Sequence, residues 1–166
     1  MSVAPKIQPS LWFGGNAREA AEFYTSIFPS SKINRIETYT SAGQEHHQME
    51  VGSDMVVDFT LNGMGFIAIN GPPVFKFTEA ISFTVNCEDQ AEIDYYWEKL
   101  GADGGKPAEC GWIKDRFGLS WQVNPKVMDE MLKNGTEKQR TAVMEAMMQM
   151  VKMDVEGLRK AFDGAA

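Results

Sequence analysis

The feature that most constrains this chain is a weak internal repeat, in register at an offset of 73 residues. Asn16 and Glu19 lead into Ala20, Phe23, Tyr24 and Ile27, and Asp89 and Glu92 lead into Ile93, Tyr96, Trp97 and Leu100. Each set reads as a capping box followed by an apolar stripe of helical spacing. Each follows an apolar, strand-like run, LWF or ISFTV, and each is closed by a stop signal, Pro29 or Gly101. A second echo aligns LNGMGFIAINGP, from Leu61, with KDRFGLSWQVNP, from Lys114, without a gap. Two copies of strand, helix and strands in one short chain predict a duplicated architecture.

The rest of the pattern fills in both copies. Residues 7–13 and Lys32 onward (KINRIETYT) read as strands, the latter alternating as a half-buried strand does. SAGQEHHQ, from Ser41, reads as a polar loop. Asn62-Gly63 between apolar runs is a strong hairpin signal. The first module is therefore βαβββ, over residues 1–72. Residues 73–125 hold a linker anchored by Phe75 and Phe77 and a second βαβββ module: a strand to Cys87, a helix from about Asp89 to Leu100, a glycine-rich turn at 101–105, short strands near Ala108 and Trp112, and a last strand closing at Val123. Residues 126–166 lie outside the repeat and read as a helical appendage. Asn124 with Pro125 opens one helix, Thr136 with Gln139 a second and Asp154 a third, and most of the methionines fall here. The fold class expected is α+β: two βαβββ modules with a C-terminal helical appendage.

A chain of 166 residues can bury a core without staples, since a domain of this size hides roughly 70% of its unfolded surface. The net charge of −7 argues against a nucleic-acid track or an anionic membrane surface. No apolar run has the length of a membrane span and no secretory signal pattern precedes Leu11. With only Cys87 and Cys110, the expectation is a cytoplasmic protein with reduced thiols.

These segments carry a family likeness. The doubled βαβββ module resembles the vicinal oxygen chelate superfamily (glyoxalase I, extradiol dioxygenases, bleomycin- and fosfomycin-type resistance proteins). LWFGGNAREAAEFYTSIFP, FTLNGMGFIAINGPPVFKFTEAISF and CGWIKDRFGLSWQVNP resemble its PhnB-like branch, which often carries the label demethylubiquinone 3-methyltransferase. The resemblance implies cupped sheets, a homodimer, and metal ligands on the first and last strands of each module. The matching positions are Gln8 or Pro9, Ile69 or Asn70, Ile81 or Ser82, and Gln122. None is a histidine or a carboxylate, and neutral oxygens alone bind transition metals weakly. Hence no cofactor is expected; if a divalent metal were held, Gln8, Gln122 and a loop histidine, His46 or His47, would hold it. The methyltransferase label implies a seat for S-adenosylmethionine, but the nearest glycine-rich stretch, GADGG at 101–105, follows a helix instead of opening one.

Candidate chemistry is sparse. Asp58, inside the apolar strand VVDFT, would be an acid or base if it points inward and edge charge if outward. Cys110, before Gly111 and Trp112, is expected in a pocket-lining strand, reactive only if positive charge lowers its pKa. Asp115 and Arg116 read as a turn with a surface ion pair. Aromatic residues beside the strands speak for a bound small molecule. The expected ligand site comprises Trp12, Asn70, Phe75, Ser82, Trp112, Trp121 and Gln122, suited to a small aromatic or oxygenated ligand. The function expected is metal-independent small-molecule binding; the alternative is an enzyme on a small-molecule substrate using Asp58, Cys110 or Gln122, including the methyltransferase activity or the metal-dependent glyoxalase- or dioxygenase-type activity that the resemblance implies.

Overall fold

A computed structural model describes residues 6–166. The chain divides into two compact units, one running through Lys76 and the other Phe77–Ala166. The first contains β1 (Ser10–Phe13), α1 (Ala17–Ile27), β2 (Lys32–Thr38), the four-residue α2 (Gln44–His47), β3 (Asp54–Leu61) and β4 (Met64–Asn70). The second contains β5 (Ser82–Cys87), α3 (Gln90–Gly101), β6 (Lys106–Pro107), β7 (Trp112–Lys114) and β8 (Ser120–Pro125), then α4 (Lys126–Asn134), α5 (Glu137–Met148) and α6 (Val155–Gly164). Both sheets have four strands in the same order, β1-β4-β3-β2 and β5-β8-β7-β6, with a parallel outer pair and antiparallel remainder. The duplicated βαβββ architecture is thus present.

In the first unit, alternation sends Leu11, Phe13, Val57, Phe59, Leu61, Phe66 and Ala68 toward one face of the sheet. There they meet Ala17, Ala20, Ala21, Tyr24 and Ile27 of α1. The small alanines let the helix approach closely, and Tyr24 stacks on Phe59. The hairpin closes through Asn62 and Gly63 with φ of 45° and 81°. Two consecutive left-handed residues make the turn whose twist suits β-strands, and Asn-Gly tolerates it best. The start of α1 departs from expectation. Asn16 has φ −113° and ψ 26°, outside the extended region a capping residue needs, and its side chain makes no cap bond. Asn70 of β4 does the work instead, its Oδ1 accepting from the Ala17 amide at 2.9 Å.

In the second unit α3 covers Val85, Cys87, Ile113, Trp121 and Val123. Here the local cap forms, Asp89 accepting from the Glu92 amide at 3.0 Å. Pro125 ends β8 opposite Cys87 and precedes α4, so that helix starts one residue later than expected and without a side-chain cap. The Thr136–Gln139 capping box and the Asp154 cap are both present. Met131, Val143, Met153 and Leu158 form the core of the three helices, while Met144 and Met148 are exposed. The stretch before α6 is fixed by main-chain bonds: the Cys110 amide donates to the Met150 carbonyl (2.8 Å), and that of Gly111 to Val151 (2.9 Å). Gln90, the first residue of α3, clamps it from the other side, donating to the Met153 carbonyl (3.1 Å) and accepting from the Val155 amide (2.9 Å).

Candidate functional site

The alternation that turns Phe83, Val85, Trp121 and Val123 toward α3 turns their neighbours to the opposite face of the second sheet. That face carries Ser82, Thr84 and Asn86 on β5, Ser120, Gln122 and Asn124 on β8, Trp112 and Lys114 on β7, and Lys106 on β6. Register lines them up in rows across the strands. Lys106 stands opposite Lys114, Lys114 opposite Ser120, and Ser120 opposite Ser82. In the next row Trp112 stands opposite Gln122, and Gln122 opposite Thr84. The Gln122 amide donates to the Ser82 hydroxyl at 2.8 Å. Hydroxyls, amides and one indole make a face able to bind polar groups and hold a flat ring.

A cleft of about 670 Å³ opens at the β6–β7 end of this face, lined by Glu79, Lys106, Glu109, Trp112, Lys114 and Ser120, among others. Lys114 Nζ lies 2.5 Å from Glu79 Oε1. Hydrogen bonding and charge from Lys114 hold the Glu79 carboxyl below the usual carboxylate range. Ser120 is 1% exposed and its Oγ has no hydrogen-bond partner among the described residues.

The remaining expected residues fall elsewhere. Trp121 leaves this face: it is 3% exposed on the α3 side, with Nε1 donating to Asp115 Oδ2 at 2.8 Å. Asp115, read from sequence as half of a surface ion pair, is itself buried. Its Oδ1 also accepts from the amides of Phe117 and Leu119, so it knits the β7–β8 turn to the core. Arg116 pairs with Asp103 instead, at 3.1 Å. The signal sequence reasoning missed is an aspartate two residues before a Phe-Gly turn and six before a tryptophan. Cys110 lies in a turn, not in a strand, with φ 57° beside Gly111 at φ 77°. Two left-handed residues cannot continue a β-ladder.

In the first unit, Trp12 and Phe75 are brought together, their rings edge to face at 5.3 Å. The Trp12 ring lies against Gly71, and its Nε1 donates to the Pro72 carbonyl at 2.9 Å. Asn70 does not join them. It is 3% exposed with both ends of its amide engaged, Oδ1 by Ala17 and Nδ2 by the Asp54 carbonyl. Asp58 is half-buried on the face turned away from α1, accepting from Asn34 Nδ2 at 2.9 Å. The expected polar loop at 41–48 contains α2, and its adjacent histidines differ. His46 is exposed beside Glu45. His47 lies on the Tyr39 ring at 4.5 Å, its Nδ1 accepting from the Met49 amide. Gln8 precedes β1, half-buried.

The donor set does not fit a conventional divalent-metal site. Among the described residues no three His, Cys, Asp or Glu side chains converge. At the strand positions, the Asn70 amide is engaged at both ends and Gln122 is bonded to Ser82. Nor does the glycine cluster form a nucleotide cradle. Residues Ala102–Gly104 make a 3₁₀ turn closing α3, and a Cβ at Gly105 would lie 2.6 Å from the Gly101 backbone. Gly105 is there to let the chain fold back on the helix end.

Paired βαβββ units, each with a helix on one sheet face and a polar or aromatic opposite face, define a protein of the vicinal oxygen chelate fold. The fosfomycin resistance protein FosX from Mesorhizobium loti shares it, with 12% identity, TM-score 0.50, and 85% of this chain and 99% of that one covered. So does a protein from Pseudomonas aeruginosa, with 22% identity, TM-score 0.54, and coverage of 74% and 98%. A PhnB protein from Bacillus cereus is 36% identical over 73% of this chain and 99% of its own, with TM-score 0.64. The family described as 3-demethylubiquinone-9 3-methyltransferase matches residues 5–124. The chain belongs to this PhnB-like family. No curated protein matches the sequence.

Proposed function

We propose that this chain is a metal-independent small-molecule binding protein, taking an aromatic or oxygenated ligand on the polar face of its second sheet. The observation that carries the reading is the cleft beside Trp112, continuous along the rows with the Gln122–Ser82 pair. Trp112 supplies a flat apolar wall, and Ser82, Ser120 and Gln122 supply the few polar groups such sites need. Trp12 and Phe75 form a second aromatic pair in the first unit and are accessory candidates. A homodimer is part of the same reading. Val74, Phe75, Ile81, Met148 and Val151 are each about half exposed or more, apolar surface that a partner copy would bury. The free thiols of Cys87 and Cys110 agree with a reducing, cytoplasmic setting.

The test is a thermal-shift screen of chelator-treated protein against divalent metals, S-adenosylmethionine and small aromatic compounds. A ligand at 100 times its dissociation constant adds about 2.7 kcal/mol. The expected result is stabilisation by an aromatic compound that Trp112→Ala and Gln122→Ala both reduce. A rise with a metal instead, lost in Gln122→Ala, would overturn the metal-independent reading.

A further inference from the structure

Three features of the cleft are not explained by a neutral ligand. Lys106 and Lys114 face each other across β6 and β7, and like charges directly opposite destabilise a strand pair. In a chain of net charge −7, such a pairing is not a by-product of a basic surface. Lys114 is neutralised by Glu79, whereas Lys106 pairs with no carboxylate among the described residues, although Glu109 lines the same cleft. Next in the row, Ser120 keeps a buried hydroxyl with no partner. A buried, unsatisfied hydroxyl costs stability that an alanine would not. A ligand that satisfies the hydroxyl gives a reason to retain it.

We infer that the cleft takes a ring-bearing small molecule through its negative charge. Lys106 and Lys114 meet the anion, Ser120 Oγ donates to it, and Glu79 occupies Lys114 until the ligand's own anionic group displaces it. This deepens the ligand-site reading above and rests on it. The Glu79 carboxylate, 2.5 Å from the ammonium and 65% exposed in its side chain, already shows the contact the ligand would make. Being largely solvated, that carboxylate returns to water when it gives way. Trp112, one residue pair along the same face, sets the ring.

Titrations of the full chain with benzoate, benzamide and acetate, followed by calorimetry and by the Trp112 indole resonance, test the inference. Benzoate is expected to bind about tenfold or more tightly than benzamide, the difference a charge-assisted hydrogen bond makes. Acetate, lacking the ring, is expected to bind more weakly than benzoate. Glu79→Gln removes the internal competitor and is expected to tighten benzoate severalfold, while Lys106→Gln and Lys114→Gln weaken it about tenfold. Ser120→Ala is expected to weaken benzoate and at the same time raise the melting temperature, a pair of effects no purely structural hydroxyl would give. If benzamide equals benzoate, or Glu79→Gln binds no tighter, the charge inference is overturned while the cleft remains a ligand site. If neither ring compound shifts the Trp112 resonance, the ligand-site reading falls and the inference with it.

Discussion

The Asn70 side chain, at the end of β4, holds the first amide of α1 at Ala17, 53 residues earlier in the chain. Its Nδ2 donates to the Asp54 carbonyl, while the Asn70 main-chain carbonyl accepts from the Tyr39 hydroxyl at 2.6 Å. One buried side-chain amide therefore fixes a helix start and a strand start together. Asn70→Ala should destabilise the protein by about 2–3 kcal/mol, because it leaves buried partners unsatisfied. Asn16→Ala, at the expected but unused cap, should stay within about 0.5 kcal/mol of wild type. Urea denaturation of the two variants checks the contrast.

Trp12 is laid flat by the absence of a side chain. A Cβ on Gly71 would stand 2.1 Å from the Trp12 ring, whose Nε1 is bonded to Pro72. Gly71→Ala should cost about 1–3 kcal/mol by overpacking and shift the Trp12 indole resonance. In a Trp12→Ala background the same change should cost much less, so a double-mutant cycle reads the coupling.

Burial, with help from Glu92 and Asp89, pushes the Cys87 thiol up to about 12. Below its ordinary value of about 8.5 both folded and unfolded chains keep the proton, and pH has no leverage through this group. From there to about 12 the unfolded chain has lost a proton that the folded chain retains. Stability should thus fall as pH rises, by about 1.4 kcal/mol per pH unit from this group alone. Burial also raises the Tyr96 hydroxyl, which adds in the same direction at higher pH. Stability measured at pH 8, 9 and 10 should decline, and Cys87→Ala should flatten the slope. At pH 8, iodoacetamide should modify Cys110 in the folded protein and Cys87 only after unfolding.

Gln90 bonds to the main chain on both sides of Asp154. Gln90→Ala should cost about 1–2 kcal/mol and speed hydrogen exchange at the Val155 amide, with little change at α1. Equal acceleration in both helices would mean that the clamp is not local.

Much of the fold was legible because helices and hairpins announce themselves locally. The spacing from Asn16 to Asp89 becomes helices opening at Ala17 and Gln90, and Asn62-Gly63 becomes a two-residue turn. The identity of the first helix cap was not legible. The ungapped echo pairs Asn70 with Val123, and both turn toward their helix, but only the first module needs a polar group there because Asp89 caps α3 from within. For the candidate site, sequence could name Ser82, Gln122 and Trp112 but not their shared face, which depends on register. A one-residue step decides that Gln122 faces the cleft side while Trp121 faces the core. The Lys106–Lys114 pair and its partner Glu79 were not legible as a site because charged residues near turns are usually only solvated. Their meaning comes from a pairing across strands that no local pattern encodes.

The bonds from Cys110 and Gly111 to Met150 and Val151 bear on how small a working version of this protein can be made. Trimming the carboxyl end to residue 124, the last residue the family match spans, would cut away the acceptors of both amides. It would also remove Met153, whose side chain fills the space a Cβ on Gly111 would take. The turn between β6 and β7 carries Glu109 into the cleft, so a shortened protein would lose the wall of its binding face along with its tail. The terminal helices thus set the lower size limit for any version of the second unit meant to keep its ligand.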